Sequence, residues 1–301
     1  MLDVRRLRLL RELALRGTIA AVAEALSFTP SAVSQQLSAL EREAGVPLLE
    51  RTGRRVRLTP AGRNLVRHTE AVLERLEEAA AELAGARHGL AGPLRIGAFP
   101  TAARAIVPAA LVALARRHPG LEPMVSETDP AGVAHALRAG ELDVALVHEY
   151  DFVPAEPEPG LALEPLCAEW MYLASLDPAP AVATELAGLA RWREAPWITA
   201  TPGTLCEAMT VRACQAAAFT PRVRHRVDGF DTVLALVAAG QGVAVVPQLG
   251  LVDVPVGVSL TRLPVRRWTR IASRGGAAGH PAVAALAEAL REALPAELRA
   301  V

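Results

Sequence analysis

Ser31, Ser34, Gln35 and Ser38 recur at i, i+3, i+4 and i+7 within TPSAVSQQLSAL. On a helix these side chains share one face. The face is short, polar and uncharged, and its hydroxyls and amide both donate and accept hydrogen bonds. Such groups can read base edges in a DNA major groove, where each base pair shows its own pattern of donors and acceptors. They would equally suit the solvated side of an ordinary helical hairpin. A second polar cluster, His148-Glu149-Tyr150-Asp151, follows the apolar run DVALV. Imidazole beside carboxylate can do acid–base work or orient a bound ligand. Nothing else favours an enzyme. No serine lies in GxSxG, there is no HExxH and no P-loop, and Gly240-Gln241-Gly242 precedes an apolar run instead of following one. No catalytic residue and no cofactor is expected. Cys167, Cys206 and Cys214 form no CxxC pair, so buried thiols are expected, with no metal and no disulfide.

The elements that would position the first face are legible. Asp3 caps a first helix with Val4, Leu7, Leu10 and Ala14 facing in, Arg5, Arg8 and Arg11 facing out, and Gly17 as its stop. Thr18 caps a second, whose apolar positions are Ile19, Val22, Ala23 and Leu26. Ser27-Phe28 turns the chain. Thr29 caps a third helix with Pro30 at its first position, where a missing N–H costs nothing. Val33, Leu37, Leu40 and Ala44 form its inner face, and Gly45 ends it. Leu48–Arg51 and Arg55–Leu58 read as two short strands about Thr52-Gly53-Arg54, with Arg54 and Arg55 at the tip. Three helices and a basic hairpin predict a winged helix-turn-helix. Charge agrees: 12 Arg stand against 6 acidic residues up to Arg67, in a chain of zero formal net charge without a single lysine. A basic end on a neutral chain points to a polyanion. The expected DNA contacts are Thr18, Thr29, Pro30, Ser31, Ser34, Gln35, Ser38, Arg51, Arg54 and Arg55.

Thr59-Pro60 opens a long helix in which Leu65, Thr69, Val72, Leu76, Ala79, Leu83, Ala86 and Leu90 alternate at spacings of four and three. This a/d seam predicts pairing with a twin. Gly89–Pro93 reads as a hinge. Beyond it, strands at Leu94–Phe99, Leu121–Val125 and Asp143–Val147 alternate with helices from Pro100 to about His118 and from Pro130 to Gly140. That is βαβαβ, a parallel sheet covered on both faces, whose ligands lie beyond the strand carboxyl ends. Thr101, Thr128 and the His148–Asp151 run stand there. After a Pro-rich connection (Val153–Gly160), a second α/β unit holds Trp170–Ala174, Trp197–Ala200, TPGT before a helix, and GVAVVP. A strand at Trp268–Ser273 and a helix from Pro281 return to the first lobe. The expected organisation is residues 1–60 as head, 61–91 as a dimerising linker helix, and 92–301 as a two-lobed α/β domain. Lobe 1 is about 92–163 plus 268–301, and lobe 2 about 164–267.

With these segments in hand, the chain resembles the LysR-type transcriptional regulators. The resemblance is carried by AAVAEALSFTPSAVSQQLSALEREAGVPLLERTGRRVRLTPAG at the head, then LRIG, AGELDVALV and AAGQGVAVVP. It implies periplasmic-binding-protein-like lobes, a homodimer or homotetramer on double-stranded promoter DNA, and a small-molecule effector between the lobes. The family's inducer positions fall here on Thr101, Thr128, Thr199 and the Thr201–Thr204 loop, with His148 beside them. Hydroxyls and helix N-termini suit a small anion or an amino or organic acid, although a Thr before a helix is also an ordinary cap. The family often carries a basic residue where this chain has Gln35, so operator preference is not carried over. The rival readings are a stand-alone small-molecule-binding protein and, least favoured, an enzyme. Arg11, Glu12 and Arg16 interrupt any signal-peptide core, and no apolar run could span a bilayer. A cytoplasmic, nucleoid-associated protein with no membrane partner is expected.

Overall fold

A computed structural model describes residues 1–52, 55–86, 89–154, 158–177 and 182–298, with backbone alone at Arg51, Thr52 and Arg55. The head opens with α1 (Val4–Arg16), α2 (Ile19–Ala25) and α3 (Pro30–Ala44). Each expected cap is in place. Asp3 accepts the Arg5 and Arg6 N–H groups, Thr18 that of Ala21, and Thr29 that of Ala32. Leu10, Val22, Val33, Leu37 and Leu40 close the head's core. One expectation fails here. Arg11 faces inward, bonded to the buried carboxylate of Glu12, while Val4 and Ala14 are exposed. Burial alone would raise the Glu12 carboxyl. The guanidiniums of Arg11 and Arg16 outweigh that and hold it below the usual glutamate range.

The wing is β1 (Leu49–Thr52) antiparallel to β2 (Arg55–Leu58), from Leu49 opposite Leu58 to Thr52 opposite Arg55. Glu41 ties α3 to it by accepting the N–H groups of Leu48 and Leu49 at 2.9 and 3.0 Å. Thr59 then caps α4 (Pro60–Gly85), accepts the Gly62 N–H and donates its hydroxyl to the Pro47 carbonyl. Gly62 is obligatory, because a Cβ there would lie 2.2 Å from the Leu48 carbonyl oxygen.

Beyond α4 come β3 (Ala91–Ala98), α5 (Pro100–Ala105), α6 (Val107–Arg117), β4 (Gly120–Glu127), α7 (Pro130–Ala139) and β5 (Val144–Tyr150). The parallel β3–β4 and β3–β5 pairs give the expected βαβαβ lobe. Two details differ. Gly92 and Pro93 already pair with β4 as strand residues, so the expected hinge is shorter. The first crossover helix is broken at Ile106, where Pro108 in the next turn cannot donate an N–H to a continuous helix.

The remaining elements are β6 (Leu161–Ser175), β7 (Pro196–Thr199), α8 (Leu205–Ala216), β8 (Arg222–Arg226), α9 (Phe230–Ala238), β9 (Val243–Pro247), β10 (Ser259–Arg274) and α10 (Pro281–Glu292). The sheet order is β4-β3-β5-β10-β6-β9-β7-β8. The long antiparallel strands β6 and β10 run through both lobes. β10 pairs with β5 over Arg267–Ser273, and β6 with β9 over Met171–Ala174. The expected lobe borders therefore fall inside continuous strands. Two cores flank the lobe 1 strands, one under α6 and α10 and one under α7, and two flank the lobe 2 strands. Among the described residues no helix is long and apolar enough to cross a membrane.

Candidate DNA interface and effector cleft

On α3, Ser31, Gln35 and Ser38 are exposed and Ser34 half-buried, while Val33 and Leu37 on the opposite face are fully buried. Among the described residues no hydrogen bond engages the side chains of Ser34, Gln35 or Ser38, whereas Gln36, one position on, is taken by Arg6 at 2.9 Å. The Ser31 hydroxyl lies 3.1 Å from that of Thr29. Thr18, Thr29 and Pro30 surround this face, exposed, with both threonine hydroxyls serving as caps. Arg54 lies outside the described residues. Arg51 and Arg55 stand in the two wing strands.

The second site is a cleft of about 530 Å³ between the lobes, at the carboxyl ends of β3, β4, β5 and β7. Thr101, Thr128, His148, Thr201 and Thr204 all line it. Thr199 does not. It is buried one residue short, at the end of β7, and its hydroxyl has no partner. Thr201 is fixed by Asp228, which accepts its N–H at 2.8 Å and its hydroxyl at 2.6 Å. Thr204 caps α8 by accepting the Glu207 N–H. Thr101 caps nothing. Its hydroxyl accepts from Arg267 at 2.8 Å. Glu149 and Asp151 face away from the cleft, toward Arg270 and toward the Trp268 indole respectively.

Arg267 was not legible as a cleft residue. It is 1% exposed, pairs with the equally buried Glu169 at 2.7 Å and lies 4.8 Å over the Phe99 ring. Burial works against its charge, but Glu169 outweighs burial and keeps the guanidinium protonated. The pair is locally neutral. His148 is 6% exposed, edge-on to Phe99 and Tyr150, with Nε2 3.7 Å from the Cys206 Sγ and Nδ1 unpartnered. Burial, and then the Arg267 charge, hold its pKa well below the usual histidine value, so the ring is neutral at pH 7. Cys167 and Cys214 are buried as expected, but Cys206 is half-buried and lines the cleft. Its Sγ lies 3.0 Å from the Tyr150 hydroxyl, and burial raises the thiol. Glu127, Asp129, Asp228, Asp231 and Arg104 also line the cleft. Sequence reasoning missed these charged groups. The available signals were Asp228-Gly229 before a helix and a lone Glu169 in the apolar run LCAEWMYL.

A winged head, a long helix and a two-lobed cleft make a ligand-responsive DNA-binding regulator. Residues 4–63 match the family model "Bacterial regulatory helix-turn-helix protein, lysR family", and residues 87–295 match "LysR substrate binding domain". The chain belongs to the LysR family of transcriptional regulators. It is 30% identical over 309 residues to the probable HTH-type transcriptional regulator LrrA of Synechococcus elongatus, covering 99% of each chain. It is 43% identical over 152 residues to a probable hydrogen peroxide-inducible genes activator of Mycobacterium xenopi, covering 50% of this chain and 78% of that one. Among solved structures, full-length OxyR from Pseudomonas aeruginosa is similar at a TM-score of 0.59 and 26% identity, covering 98% of this chain and 99% of that one. A Corynebacterium glutamicum OxyR mutant with hydrogen peroxide bound gives 0.59 and 26%, covering 97% and 92%.

Proposed function

We propose that this regulator reads promoter DNA as a homodimer or homotetramer, through the exposed α3 face and the Arg51–Arg55 wing, and answers to a small amino or organic acid in the cleft. The reading makes 1–60 the DNA-binding head, 61–91 the dimerising linker and 92–301 the effector domain, working in the cytoplasm on the nucleoid. One observation carries the ligand class. The cleft combines an exposed Arg104 and the Thr101 and Thr128 hydroxyls, suited to a carboxylate, with Glu127 and Asp231, suited to an ammonium group. With Arg267 neutralised by Glu169, a multiply charged anion would meet more repulsion than attraction, so an amino acid fits better than a bare anion.

The test is a gel-shift titration on the DNA upstream of the protein's own gene, against random duplex, with amino and organic acids added in turn. A discrete shift that survives competitor and changes midpoint with an acid is the expected result. The absence of any specific shift there, and in selection from random DNA, would overturn it. Gln35→Ala should cost about 1–3 kcal/mol on the selected site and little on random DNA.

The peroxide-inducible relatives, together with Cys206 in the cleft, favour one second reading, oxidation of that thiol. Two facts weigh against it. Burial raises the thiol and so depletes the reactive thiolate. Cys214, eight residues further along α8, lies about 12 Å away by helical rise, beyond disulfide reach. Peroxide that leaves the gel shift unchanged while an acid alters it would exclude this reading.

A further inference from the structure

Behind the cleft lies a second pocket of about 230 Å³. Its walls are Val133 and Ala134 of α7, Val147 of β5, Leu161 and Leu163 of β6, and Leu205 of α8. The two spaces adjoin, and Asp129, Pro130, His148, Thr204 and Cys206 line both. The dividing wall is thus formed largely by a neutral imidazole, a protonated thiol and a hydroxyl. The pocket's own carboxylates are Asp129, which caps α7, and Glu158, paired with Arg138 at 2.8 Å.

Among the described residues no side chain fills this space. Leu163 is 39% exposed, and Val147 and Leu205 are only half-buried, although all three face a concavity between the lobes. Apolar walls gain stability by excluding water, and here the missing partner is an apolar group reaching in from the cleft. His148 Nδ1, buried and unpartnered on the shared wall, offers that incoming molecule one uncharged hydrogen bond.

We infer that the effector is an acid bearing a branched alkyl or aromatic arm, its polar head in the cleft and its arm in the pocket behind His148 and Cys206. This rests on the cleft being the effector site and narrows the effector's chemistry. Short dicarboxylates and inorganic anions, which have no such arm, would leave the pocket unfilled.

The test is isothermal titration of the full-length protein with two series that share arms but differ in head. One is L-alanine, L-norvaline, L-leucine and L-phenylalanine; the other is propanoate, pentanoate, 4-methylpentanoate and 3-phenylpropanoate. The expected result is a gain of about threefold to fourfold in affinity per methylene added in at least one series. Ala134→Leu, which fills the pocket, should abolish that gain, with a thermal melt reporting folding. Leu163→Ser, at an exposed lining position, should reduce it and serves if Ala134→Leu does not fold. Short members binding as tightly as long ones, or a gain that persists in a folded Ala134→Leu protein, would overturn the arm pocket and leave the cleft reading standing. Binding by no member of either series would overturn both.

Discussion

Glu169 and Arg267 show how much one residue can carry out of reach of sequence reasoning. Arg267 is one of five arginines along β10, and nothing local marks it as the one turned inward. Its burial is decided by strand pairing with β5 and β6, residues far away in the chain. Glu169→Gln would leave the guanidinium buried without its countercharge, and urea unfolding should show a loss of about 3–5 kcal/mol. His148 gives a second expectation at this scale. Its folded-state pKa is depressed, so below about pH 6.5 the unfolded chain takes up a proton that the folded one refuses. Stability should fall as pH drops through 6.5 toward 5, and a His148→Asn variant should lose that slope in thermal melts against pH. The threonines were legible because strand carboxyl ends are predictable from a βαβ pattern. Thr199 stands one residue short of the cleft lining, since a strand's last residue can turn inward while the loop after it lines the cleft. Arg11 was misread because a helical wheel cannot see Glu70 of α4, whose carboxylate faces it at 4.0 Å.

Elements set by neighbouring residues were read well, and elements set by distant partners were not. Caps at Asp3, Thr18, Thr29 and Thr59 are local hydrogen bonds, and all four are made. The two crossing strands were read as five or six residues each but run for 15 and 16, because their extension depends on pairing with each other. The α4 seam divides in two. Leu65 and Thr69 turn toward the head, whereas Val72, Leu76 and Leu83 stay 42%, 47% and 72% exposed. The buried residues of α4, Gly62, Thr69, Leu73 and Ala81, lie along the flank beside this stripe. An apolar stripe left bare on a helix already anchored along its adjoining flank is what a second copy would cover. Leu76→Arg should therefore lower the sedimentation coefficient to that of the monomer without changing the helical circular dichroism signal. An unchanged coefficient would remove this stripe from the dimer contact.

Across the whole molecule, head and lobe touch. Arg16 of α1 bonds to His135 of α7, and α7 begins at Asp129 and Pro130 in the cleft wall. One ten-residue helix thus runs from cleft to head. His135→Ala should speed amide hydrogen exchange in the last turn of α1 while leaving the β3–β5 strands protected; equal exchange in both proteins would show that the contact carries no stability. The linker is fixed too, by Arg274 bonded to Glu77 at 3.0 Å and by Gly276, where a Cβ would lie 2.3 Å from the Glu74 carbonyl.

The Gly276 contact bears on exchange of parts between relatives. A foreign head joined at the wing would arrive without the partners of His135 and Glu70. A foreign linker with a bulkier backbone path at Glu74 would collide with the turn at Gly276. Head, helix and first lobe are thus inherited as a set, and a hybrid regulator built by cutting at residue 60 would need Arg11 and Arg16 restored before its two ends could speak to each other.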